Sequence, residues 1–84
     1  MEELKSGIRE VVFSVLQVEN EAINDHEDLV ENRNVDFDSL SGFDTLVKLE
    51  KKYKIKINDA LLPKMRSIDS ITEIVMDILK TQSN

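Results

Sequence analysis

Few side chains in this sequence could do chemistry, and their spacing excludes most reactions. There is one histidine, His26, and no cysteine, so thiolate nucleophiles, thiolate metal sites and disulfides are excluded together. His26 sits among Asp25, Glu27, Asp28 and Glu31 with no nucleophile patterned around it, and reads as a surface residue rather than a general base. Asn32-Arg33-Asn34-Val35-Asp36-Phe37-Asp38 alternates oxygen-bearing side chains as a calcium loop does. Counted from Asn32 or Asn34, however, the glycine position holds Phe37 or Ser39 and the bidentate glutamate position holds Phe43 or Thr45. No catalytic residue and no metal ligand is expected. What remains is a hydroxyl: Ser39, preceded by Asp38 and followed by Leu40. A phosphate attached to a serine in the first turn of a helix would lie beside unpaired backbone N–H groups and the positive end of the helix dipole, so an anionic tether is tolerated there.

The elements that would position Ser39 follow from hydrophobic periodicity. Leu4, Ile8, Val11, Val12, Val15 and Leu16 recur at helical spacing and predict a first helix. Residues 20–34 have no sustained period and predict a long loop anchored by Ile23, Leu29 and Val35. A second helix follows, with Asp38 as N-cap and one apolar stripe of Leu40, Phe43, Leu46, Val47 and Leu49 continuing to Tyr53. Ile55-Lys56-Ile57 predicts an extended linker tucking Ile55 or Ile57 inward. Residues 59–64 allow one short helical turn limited by Pro63. Ser67 or Ser70 then caps a last helix carrying Ile68, Ile71, Ile74, Val75, Ile78 and Leu79, with Glu73 completing a capping box if Ser70 is the cap. The fold expected is all-α, a small four-helix bundle of three main helices and one short one. A single domain spans 1–84, its core about 4–80, with 81–84 a frayed tail.

Composition supports this outline. The 84 residues suffice for one small domain. Two glycines and one proline are too few for the turns of a many-stranded β fold. No apolar run approaches a membrane span and the start, Met1-Glu2-Glu3, is not that of a signal peptide, so a soluble, cytoplasmic monomer is expected. The net charge of −6 disfavours nucleic acid and anionic membranes. It is also polarised: residues 1–36 carry ten acids and three bases, net −7, whereas residues 37–84 carry seven acids and eight bases, net +1.

Asp38-Ser39-Leu40, followed by Phe43, Leu46, Leu49-Glu50, Tyr53 and Ile57, resembles the attachment segment of acyl carrier proteins, in which a D-S-L triplet opens the second helix. The likeness extends through the first helix ending Leu16-Gln17-Val18, the loop residues Ile23, Asp25 and Leu29, and Ser67-Ile68-Asp69-Ser70-Ile71 with Ile74-Val75, covering residues 4–80. The resemblance implies a carrier and not an enzyme. Ser39 would bear 4′-phosphopantetheine through a phosphodiester, its thiol end holding an acyl group as a thioester. Asp38 would help a phosphopantetheinyl transferase bind its metal and the cofactor donor, and Leu40 would be a hydrophobic contact for partner enzymes, with Phe37 and Lys48 as further contacts. The implied partners are that transferase and acyl-transferring, condensing or acyl-activating enzymes of fatty-acid, lipid or polyketide-type biosynthesis. Peptidyl, aryl and D-alanyl carriers share the same fold, and an unmodified helical adaptor or calcium-binding module is the remaining alternative.

Three departures from the family pattern stand out. Asp36 occupies a position where glycine is common. Gly42 falls early in the second helix, where it costs roughly 1 kcal/mol against alanine unless a partner or acyl chain approaches closely. Fatty-acid-type carriers usually have an acidic second helix, yet here Asp38, Asp44 and Glu50 are balanced by Lys48, Lys51 and Lys52. A specialised carrier is therefore expected, coupling weakly to enzymes that select an acidic second helix. Phe43, Leu46, Val47, Ile68, Ile71 and Val75 are expected to line a core between the second and last helices that could open to admit an acyl chain.

Overall fold

A computed structural model describes residues 2–18, 23–32, 35 and 37–82, the side chain of Glu2 excepted. Its elements are α1 (Glu2–Leu16), α2 (Ser39–Tyr53), a 3₁₀ helix (Asp59–Lys64) and α3 (Ile68–Gln82). The all-α bundle expected from periodicity is present, with no strand among the described residues. None of these helices is long and apolar enough to cross a membrane.

α1 occupies the middle of the bundle. Its backbone packs closely against both α2 and α3, and Ile8, Val11, Val12 and Phe13 are buried between them. Of the residues expected to line a core between the second and last helices, Leu46, Ile68, Ile71 and Val75 are buried in one cluster with these α1 residues and Val47 packs against it; Phe43 is the exception. The helix closes with Gln17 in the left-handed region, φ 56°, and the Val18 N–H donating to the Phe13 carbonyl at 3.2 Å, a closure that lets the chain leave without orphaned carbonyls.

The long connection is pinned as its anchors predicted. Ile23 and Leu29 are buried and Val35 packs against the core. Asp25 accepts two hydrogen bonds from Arg9, from Nε at 3.0 Å and Nη2 at 2.7 Å. The backbone of the loop is tied to the entry of α3 by Leu29 N–H to Arg66 O (2.7 Å) and Asp69 N–H to Asp25 O (2.9 Å).

The second helix departs from expectation. Its buried face is Gly42, Thr45, Leu46 and Leu49, whereas Leu40 and Phe43 are 80% and 48% exposed. At 100° per residue, positions 40, 43 and 47 lie opposite 42, 45, 46 and 49, so the apolar residues form two faces rather than one stripe. A glycine and a threonine complete the inner one, and Thr45 Oγ1 satisfies itself on the Ser41 carbonyl at 2.8 Å. Phe43 therefore lines no inter-helix core.

Beyond α2, Lys54 takes the left-handed cap conformation. Ile55 and Ile57 are both buried, because residues two apart in extended chain share a face, and Glu50 holds this linker by accepting from the Ile57 N–H at 2.8 Å. Asn58 caps the 3₁₀ helix through Ala60 N–H. Ser67, not Ser70, caps α3: Ser67 Oγ accepts from Ser70 N–H and Ser70 Oγ accepts from Ser67 N–H, each at 3.0 Å. Ser70 thus plays the part expected of Glu73, in reciprocal form. The helix runs on through Thr81 and Gln82, two residues into the expected frayed tail; Ser83 and Asn84 lie outside the described residues.

The two helical glycines answer to different surroundings. A Cβ at Gly42 would meet Leu62 Cδ2 at 3.6 Å and the Phe37 ring at 3.8 Å, ordinary contact distances. One at Gly7 would collide with the Tyr53 hydroxyl, which also donates to the Leu4 carbonyl. We expect Gly42→Ala to stabilise the fold by about 0.5–1 kcal/mol. Gly7→Ala should instead lose about 1 kcal/mol, since overpacking outweighs the same propensity gain. Urea unfolding of the pair checks this, and an equal gain in both would contradict it.

Candidate functional site

Ser39 opens α2 as its first helical residue. Asp38, in extended conformation, caps the helix: Oδ1 accepts from Ser41 N–H at 3.0 Å, and its carbonyl accepts from Gly42 N–H at 2.9 Å. The N–H groups expected to face a phosphate are thus partly engaged by Asp38. What favours an anion at Ser39 is the positive end of the helix dipole, together with exposure, since Ser39 and Leu40 both stand open to solvent.

Beside Ser39 lies a half-open cavity of about 330 Å³. Its inner wall is Phe37, Gly42, Leu62 and Met65, and Val30 and Arg66 stand at its rim. Phe37, expected among the partner contacts, is only 7% exposed and belongs to this wall, its ring facing Gly42. Val30 and Arg66 are held together by Asp28. Its Oδ2 pairs with Arg66 Nη2 at 3.0 Å, and its Oδ1 accepts from Val30 N–H at 2.9 Å and Glu31 N–H at 3.3 Å.

Sequence reasoning flagged Ser39, Asp38, Leu40 and Gly42 but missed Val30, Leu62, Met65 and Arg66. Gly42 carried a local signal, a costly residue inside a helix, as did the Asp38-Ser39-Leu40 triplet; the missed residues arrive from two distant segments. Lys48 stands on the outer face of α2, paired with Asp44 at 2.9 Å. His26 is exposed on a loop turn. Of the suspected calcium loop, Arg33, Asn34 and Asp36 lie outside the described residues, as does the Asp36 departure, while Asp38 serves as a helix cap.

Three carboxylates here titrate below their ordinary value of 3.8. Asp38 is lowered chiefly by the Ser41 N–H, and Asp25 by its hydrogen bonds from Arg9. At Asp28, desolvation pushes upward but is outweighed by Arg66 and the N–H groups of Glu31 and Val30. A folded-state value below the unfolded one gives stability that is complete above pH 3.8 and lost as pH falls through the lower values. The urea midpoint should therefore be flat from pH 7 to about 5 and drop below about 4. In Asp25→Asn/Asp28→Asn/Asp38→Asn the protein should be weaker at neutral pH with a shallower acid limb. An acid limb unchanged in that variant would assign the loss to other groups.

Comparison with known proteins agrees with this geometry. The family signature described as "Phosphopantetheine attachment site" matches residues 6–80. The chain is 31% identical over 71 residues to polyketide-8 synthase acyl carrier protein 2 of Streptomyces avermitilis, covering 84% of this chain and 79% of that protein. It is 30% identical over 77 residues to the meromycolate extension acyl carrier proteins of Mycobacterium leprae and Mycobacterium tuberculosis, covering 92% of this chain. It spans 65% of the length of those mycobacterial relatives.

Proposed function

The chain belongs to the phosphopantetheine-attachment family as an acyl carrier protein, and from that premise we propose that Ser39 is the hydroxyl that bears its 4′-phosphopantetheine. Carriers of this family are not catalysts; the arm is held covalently and its terminal thiol carries the acyl group as a thioester. The observation that supports Ser39 is its place, exposed in the first turn of α2 and bordering the apolar cavity. The other described serines are less suited. Ser6 and Ser14 lie within α1, Ser41 is half-buried, and Ser67 and Ser70 bond to each other.

Attachment joins Ser39 Oγ to the β-phosphorus of coenzyme A, breaks the pyrophosphate P–O bond, releases adenosine 3′,5′-bisphosphate and sheds the hydroxyl proton. Asp38 supports the step by fixing the turn that carries Ser39, and its exposed carboxylate stands one residue away for the metal of the phosphopantetheinyl transferase. Leu40 is the foremost contact for partner enzymes. The cavity walled by Phe37, Gly42, Leu62 and Met65 suits the apolar part of an acyl chain.

The names of the relatives favour acyl-transferring and condensing enzymes of polyketide or lipid synthesis over peptidyl, aryl or D-alanyl carriage. Incubation with a broad-specificity transferase, Mg²⁺ and coenzyme A tests the attachment. One arm should be added, and it should map to the tryptic peptide beginning at Asn34 and ending at Lys48, on Ser39 rather than Ser41. An arm on any other peptide refutes the assignment.

A further inference from the structure

The outward face of α2 changes character along its length. Leu40, Phe43, Val47 and Lys51 succeed one another at spacings of three and four, so they share one face, about 16 Å long from Leu40 to Lys51 at the helical rise, with Val47 half-buried against the core at its edge. Leu40 and Phe43 are two of only three large apolar side chains that the described residues leave exposed. The charges farther along are basic. Asp44 is compensated by Lys48 on the same face, and Glu50 is turned into the body, bound to the Ile57 N–H. Lys52 leans back toward α1, donating to the Gly7 carbonyl at 3.4 Å with Glu10 at 3.8 Å. Lys51, Lys54 and Lys56 remain exposed at the far end, where no described acid of α2 offsets them.

We infer that this face docks an acyl-handling enzyme whose surface is apolar where Leu40 and Phe43 enter and acidic opposite Lys51 and Lys54. The inference rests on the attachment of the arm at Ser39, which places the same face against whichever enzyme receives the acyl group. Charge complementarity argues for that occupant: an acidic rim is attracted to the lysine end, whereas a basic rim is repelled by it. Exposed pairs act mainly on association rate and are screened by salt.

The probe is a malonyl transferase with a lysine- and arginine-lined docking patch, together with a version of it in which those patch residues are changed to glutamate. Transfer to the holo protein is measured at low and high salt, and each enzyme is normalised to its transfer to pantetheine alone. Holo wild type should prefer the glutamate version about tenfold at low salt, the preference collapsing at high salt. Lys51→Glu/Lys54→Glu should abolish or reverse it, while Leu40→Ala should slow both enzymes alike. Equal rates with the two versions, or a preference for the basic one, overturn the inference. So would dimerisation at low salt that Lys51→Glu/Lys54→Glu removes, because the occupant would then be a second copy using its own acidic residues. The mass of each protein is read before the assay. An arm missing from Ser39 refutes the attachment, whereas a loaded protein without charge preference refutes the docking surface alone.

Discussion

Ser39→Ala is expected to abolish loading by the transferase, leaving the protein at its unmodified mass under conditions that convert wild type fully. The loss is complete because the substitution removes the only atom that can form the phosphodiester at that place. Ser41→Ala is the informative partner. Ser41 sits two residues on, half-buried, and its backbone N–H, which the substitution keeps, holds the Asp38 cap, so loading should persist. Asp38→Ala should fall between, slowed by loss of the cap, worth about 1 kcal/mol, and of a carboxylate beside the hydroxyl. If Ser39→Ala still acquires an arm, or Ser41→Ala does not, the site has been assigned to the wrong serine.

The second large effect lies outside the helices. Leu29 is fully buried although it belongs to the connecting loop, and its N–H donates to the Arg66 carbonyl at 2.7 Å. Leu29→Ala should cost about 2–5 kcal/mol, the range for truncating a core leucine, a large share of the stability of so small a domain. Its neighbour Val30 is 51% exposed, and Val30→Ala should stay within about 0.5 kcal/mol. Urea unfolding of both compares a pinned residue with an adjacent exposed one. If the Leu29→Ala midpoint matched that of Val30→Ala, the loop would not be the structural element its packing implies. The consequence reaches the site, because Leu29 anchors the turn that carries Val30 to the cavity rim.

These effects also separate what was legible in the chain from what was not. The helices were written in the 3.6-residue spacing of Leu4 to Leu16, Leu46 with Leu49, and Ile68 to Val75, because periodicity is a local property that survives without tertiary context. Asp38 as N-cap and Ile23 and Leu29 as loop anchors were equally local, a capping residue ahead of a helix and isolated apolar residues in a polar run. The D-S-L triplet at that helix start singled out Ser39 and, by family likeness, the arm proposed for it.

Which face of α2 turns inward was not legible. Leu40, Phe43, Leu46, Val47 and Leu49 form two apolar faces, and the choice was made by what α1 and the loop offered for contact. Gly42 and Thr45 could be buried there at little cost, the glycine against Phe37 and Leu62 and the threonine by bonding to Ser41. That choice left Leu40 and Phe43 outside and drew Phe37 in. The cavity beside Ser39 was hidden for the same reason. It joins Val30, Gly42, Leu62, Met65 and Arg66 from segments far apart in the chain, tied by the Asp28–Arg66 pair and the Leu29 N–H bond to the Arg66 carbonyl. Sequence alone determined the helices and the serine at the head of the second one. Tertiary packing decided which side chains surround that serine and which face of its helix is left exposed, because burial is settled by competition among distant surfaces and not by the spacing within any one of them.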